Sequence, residues 1–120
     1  VKSFGHLLRE ARISSGKKLK DVAILLDRTV SNIHDIEQSH RKLNNIDDVK
    51  KCAEMLHADS EKLIKAAIRE LGYIKIKRDN ENELFFIFKI ADSLDKLSNS
   101  AIKEIEIIVE RDLKGYEDDN

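Results

Sequence analysis

The residues best suited to chemistry lie in the stretch RTVSNIHDIEQ, residues 28–38. Ser31, Asn32, His34 and Asp35 face one way on a short amphipathic helix, while Ile33 and Ile36 face the other. Hydrogen-bonding side chains at the start of such a helix suit the reading of base edges in a DNA groove. Asparagine pairs with an adenine edge through two bonds, serine contacts several edges, and a carboxylate accepts from cytosine N4. Asp35 is the awkward member, because a carboxylate does not obviously suit a polyanion. It is a cytosine contact, one half of an intramolecular pair with a nearby Arg or Lys, a simply solvated carboxylate, or a sign that DNA is not the ligand.

Other chemistry finds little support. His6, His34, His40 and His57 do not cluster with Cys52 at zinc-ligand spacing. No glycine-rich phosphate loop and no nucleophile elbow are present. The adjacent carboxylates Asp47 and Asp48 sit where helix-start charges belong. The expectation is therefore a binding protein, not an enzyme, with no cofactor and no metal.

The rest of the chain must position that helix. It has 120 residues, 41% hydrophobic and 38% charged, with no proline and four glycines. This composition favours helices and opposes a turn-rich sandwich or barrel. The single Cys52 excludes an internal disulfide and fits a reducing compartment, hence a cytoplasmic protein. No apolar run approaches the length of a membrane span, and the amphipathic opening VKSFGHLLRE does not read as a signal peptide. Charge is unevenly spread. Residues 1–78 hold 17 Lys/Arg against 11 Asp/Glu, and residues 79–120 hold 5 against 12. A basic front and an acidic tail suit a part that meets nucleic acid and a part that avoids it.

Apolar periodicity places five helices in the first 71 residues. Residues 3–15 turn Phe4, Leu7, Leu8, Ala11 and Ile13 inward behind an Ser3 cap, and Gly16 stops the helix. Residues 18–26 bury Leu19, Val22, Ala23 and Leu26, and Asp27 takes the turn. The third helix runs from Val30 to about Ser39 with Thr29 as its cap. A polar loop, SHRKLNN, follows. The fourth runs from Ile46 to Leu56, and the fifth is capped by Asp59 and ends at Gly72. Residues 72–83 read as a linker with at most a short strand at 73–77. Two helical segments then occupy residues 84–120, the second opened by Ser98 and closed at Gly115, leaving YEDDN as a frayed end.

Taken together, FGHLLREAR, LKDVAILLD, TVSNIHDIEQ and DDVKKCAEMLHADSEKLI make residues 4–64 resemble the Cro/repressor (XRE) helix-turn-helix family. The resemblance implies an all-α, five-helix, lambda-repressor-like domain whose third helix enters the major groove. It places Val30, Ser31 and Asp35 at base-facing sites, flanked by Asn32 and His34; Val30 would meet a thymine methyl. Phosphate contacts are expected from Thr29, Arg41 and Lys42, joined by Lys17, Lys18 and Lys20. It also implies a buried ion pair between Arg12 and Glu37. Three departures stand out. Leu19 replaces a DNA-binding glutamine, Lys18 replaces a Ser/Thr cap, and Asp27 and Ser39 stand where glycine is common.

The C-terminal stripe of Leu84, Phe85, Phe88, Ala91, Leu94, Ile102, Ile105 and Val109 is wider than a lone hairpin can cover; it either folds back on the DNA-binding domain or pairs with the same segment of a second copy, and pairing is the favoured expectation. The organisation expected is a DNA-binding domain over 1–71, a linker over 72–83 and a dimerising segment over 84–120. The function expected is that of a transcriptional regulator, a repressor occupying an operator on double-stranded DNA as a homodimer. The alternative is a module of the same fold that binds a protein regulator, such as a toxin, protease or anti-repressor.

Overall fold

The computed structural model describes residues 1–119, with side chains through Glu117. Among them all regular structure is helical. The chain divides into two compact units, Val1–Ile76 and Lys77–Asn120.

The first unit holds α1 (Phe4–Ser14), α2 (Leu19–Leu26), α3 (Val30–Glu37), α4 (Ile46–Met55) and α5 (Ser60–Leu71). Each start is set by a side chain or carboxylate that satisfies an otherwise unpaired backbone N–H. Ser3 Oγ accepts from His6 N at 3.1 Å, Thr29 Oγ1 from Asn32 N at 3.0 Å, and Asp59 Oδ1 from Lys62 N at 3.2 Å. Lysine cannot cap α2 in this way. There Asp21 reaches back instead, its Oδ2 accepting from the Lys18 N–H at 2.8 Å, so one half of a reciprocal cap survives the missing Ser/Thr.

The helix exits share a device. Gly16, Asp27, Ser39 and His57 all adopt positive φ, at 72°, 53°, 63° and 52°. In each case the next N–H returns to a carbonyl five residues back: Lys17 to Arg12, Arg28 to Ala23, His40 to Asp35 and Ala58 to Ala53, at 2.8–3.0 Å. Glycine would serve all four positions without strain, yet three carry side chains. Asp27 and Ser39 therefore keep the geometry that glycine normally supplies.

The five helices close around Phe4, Leu8, Val22, Ile33, Ile36, Val49, Cys52, Leu56 and Leu63, all buried. Two sequence expectations are corrected. Ile13 is 52% exposed, because at ~100° per residue it lies opposite the Phe4–Leu7–Leu8–Ala11 stripe. Leu43, in the loop read as polar, is 2% exposed. Burying it contributes about 2 kcal/mol and pins the loop that carries Arg41 and Lys42. Helices α1 and α3 approach so closely that a Cβ on Gly5 would lie 2.3 Å from the Ile36 carbonyl oxygen.

The second unit holds α6 (Glu81–Ser93), a single 3₁₀ turn at Leu94–Lys96, and α7 (Asn99–Asp119). Asn80 Oδ1 caps α6 from Asn82 N and Glu83 N, at 2.8 and 3.1 Å. Helix α6 thus starts ahead of residue 84, because the cap lies at Asn80 and not at the first apolar residue. Helix α7 begins at Asn99, directly behind the expected opener Ser98, whose Oγ accepts from Ala101 N at 3.1 Å. It does not stop at Gly115 but continues to Asp119. A glycine inside a helix costs only ~1 kcal/mol, and here it has no positive φ to end the helix. No strand forms at 73–77 among the described residues.

Candidate nucleic-acid interface

Helix α3 is held to the unit by its inner face. Ile33, Ile36 and Glu37 are buried. Glu37 would be an uncompensated charge there, but Arg12 from α1 meets it with Nε–Oε2 at 2.7 Å and Nη2–Oε1 at 3.0 Å. This hydrogen bond to Glu37 holds the Arg12 guanidinium above its usual pKa, against the opposing effect of burial. A third bond, Arg12 Nη1 to the Lys17 carbonyl at 3.1 Å, joins the α1–α2 turn to the same pair. Glu37 is thereby saturated and turned away from any ligand.

The outer face carries the sequence-predicted readers. Val30, at 46% exposure, Ser31 and His34 are open to solvent. Asn32 and Asp35 are half-buried. Asn32 is already engaged, since Arg28 Nη1 donates to its Oδ1 at 3.0 Å. Arg28 also approaches Asp48 on α4, Nη2–Oδ2 at 4.0 Å. Arg28 was missed in the sequence; its signal was the four-residue spacing to Asn32. A two-bond contact of Asn32 with adenine uses that same Oδ1, so Arg28 must share or release it. Asp35 has no side-chain hydrogen bond or ion pair among the described residues, which removes the intramolecular salt bridge and leaves a base contact, simple solvation or a ligand other than DNA.

The expected phosphate-binding residues fall into two groups. Lys17, Lys18, Lys20 and Arg41 are exposed, and no ion pair engages them among the described residues. Thr29 is exposed as well, with its hydroxyl oxygen serving as the α3 cap and its proton left to donate outward. Lys42 differs, because its Nζ donates to the Glu70 carbonyl at the end of α5, 2.9 Å away. That bond occupies one of the three donors of its ammonium group. Leu19, where the resemblance implies a glutamine, is half-buried and packs against the core.

Among the described residues no three His, Cys, Asp or Glu side chains are grouped to hold a metal ion. Cys52 is fully buried, and burial, with the nearby Asp48 carboxylate, pushes its thiol up to about 12. Such a thiol is a core residue and not a nucleophile. No described helix is long and apolar enough to cross a membrane.

Two short helices joined by a tight left-handed turn, the second exposed along its leading edge, define a helix-turn-helix unit. Residues 3–66 match the family model described as a helix-turn-helix domain, and the chain belongs to that family. None of the curated proteins matches the chain. Among solved structures, a transcriptional regulator from Listeria innocua shares 19% identity over 91% of each chain, with a TM-score of 0.46.

Proposed function

We propose that this protein is a sequence-specific DNA-binding transcriptional regulator of the Cro/repressor type, acting in the cytoplasm by occupying an operator. The observation that carries the reading is the division of α3 by face. Ile33, Ile36 and Glu37 are consumed by the fold, while Val30, Ser31 and His34 remain exposed, as do the cations Lys17, Lys18, Lys20 and Arg41. Side chains on the leading turn would meet base edges, and the flanking cations would fix register on the phosphates. Repression would follow from exclusion of polymerase.

The second unit supports a homodimer. None of its described residues is buried. Leu84, Phe85, Phe88, Leu94 and Val109 are each 42–58% exposed, and Phe86, Ile107, Ile108 and Leu113 join them. Ile102 and Ile105, expected in the same stripe, are half-buried within the single chain. A helical segment without a core of its own is completed by another apolar surface, and a two-fold pair would match two operator half-sites about one helical turn apart.

The partnerless Asp35 keeps one rival in view, a protein ligand on α3. Selection of duplexes from a random pool separates the two. Wild type should enrich a defined, two-fold related sequence, and Ser31→Ala and Asn32→Ala should lose preference at defined positions by about 1–3 kcal/mol each. Failure to retain any duplex, even at low salt, would sink the DNA reading.

A further inference from the structure

We infer that residues 73–78, YIKIKR, form a basic arm that contacts DNA phosphates where the chain leaves α5; this rests on the DNA-binding reading above. The segment packs three cations, Lys75, Lys77 and Arg78, into six residues, all exposed. None of the three is in an ion pair among the described residues. Nor do residues 73–79 enter any backbone hydrogen bond there. Alternation in an extended chain sets Lys75 and Lys77 on one side.

The root of the arm gives it a direction. It leaves α5 at Gly72, and the last turn of α5 is tied to the α3–α4 loop by the Lys42 Nζ bond to the Glu70 carbonyl at 2.9 Å. Ser39, Arg41, Lys42, Glu70 and Leu71 line one hollow of about 180 Å³. The chain therefore leaves α5 next to Arg41, the exposed cation that follows α3. At ~3.3–3.6 Å per extended residue, six residues reach ~20 Å, several phosphates along one strand. The far end is marked by sign: Asp79, Glu81 and Glu83 follow immediately, and phosphates would repel them.

The test uses the full chain and a fluorescently labelled duplex of random sequence, with affinity measured by anisotropy as salt is raised. Phosphate contacts carry no sequence information, so no operator is needed. The variant Lys75→Ala/Lys77→Ala/Arg78→Ala should make the salt slope shallower by about 2–3, at about 0.9 per contact. Its melting temperature should be unchanged, because the three residues are exposed. The control Lys96→Ala/Lys103→Ala/Lys114→Ala removes equal charge from the 3₁₀ turn and α7 and should keep the wild-type slope. An arm variant with the wild-type slope, or a control that falls as far, overturns the arm. In either case the selection experiment with Ser31→Ala and Asn32→Ala still judges α3 separately. If wild type binds no duplex at low salt, the arm and the reading beneath it fall together.

Discussion

Arg12 and Glu37 meet as a two-bond ion pair, 2.7 and 3.0 Å, that locks the last turn of α1 to the last turn of α3. Arg12→Ala would leave a carboxylate with 2% of its side chain exposed and no counter-charge. Removing one partner of such a pair costs roughly 3–5 kcal/mol. Urea unfolding should register that loss in the midpoint at nearly constant m-value. A change below ~1 kcal/mol would show that solvent already screens the pair.

Gly5→Ala should be nearly as damaging for a different reason. The added Cβ would stand 2.3 Å from the Ile36 oxygen and 2.7 Å from the Glu37 oxygen. Both are backbone atoms, so no rotamer relieves the clash, and α1 must separate from α3. Overpacking of this kind costs at least about 1–3 kcal/mol. Thermal melts of the variant should show it, and a neutral result would mean that the helices sit farther apart.

Cys52 links stability to high pH. Its folded thiol lies at about 12 against an ordinary 9.0, because burial disfavours the thiolate. A folded pKa above the unfolded one gives stability that is complete below pH 9 and declines as pH rises toward 12. Stability measured across that window should fall more steeply in wild type than in Cys52→Ala. Alkylation of Cys52 at pH 8 should proceed only as fast as the unit opens. Rapid labelling of folded protein would contradict its burial.

Ser39→Gly should stabilise the first unit. Ser39 holds φ 63°, a conformation that costs a side-chain-bearing residue roughly 1–2 kcal/mol. Glycine's extra unfolded-state freedom and the loss of the exposed Ser39–Ser3 hydroxyl bond, 3.2 Å, offset part of that. A net gain of about 0.5 kcal/mol is expected in urea titrations, and a net loss would show that the hydroxyl bond outweighs the strain.

Phe85 and Phe88 stack with ring centroids 6.2 Å apart on the open side of α6. Phe85→Glu/Phe88→Glu should convert a dimer to a monomer in sedimentation equilibrium, with the first unit's melt unchanged. A wild-type monomer at high protein concentration would rule out pairing through this stripe.

The parts of the fold legible in the sequence are those set by local rules. The stripe Phe4–Leu7–Leu8, the caps Ser3, Thr29 and Asp59, and the turn at Asp27 all follow from periodicity and short-range hydrogen bonding. The Arg12–Glu37 pair came from resemblance alone, since 25 residues separate the partners. Leu43 was misread because a single apolar residue in a polar loop has no period to declare its direction.

What the sequence alone determined is an all-helical chain with a short polar-edged helix starting at Val30, because helix type, start and inner face depend on residues within a turn or two. What only the tertiary structure decided is which of that helix's polar neighbours remain available. Arg28 holds Asn32, Glu70 holds Lys42 across 28 residues, and Asp35 is left without a partner. The availability of Lys42 and Asp35 depends on how the helices pack and where the loops between them run. Residue type and spacing along the chain do not specify that arrangement.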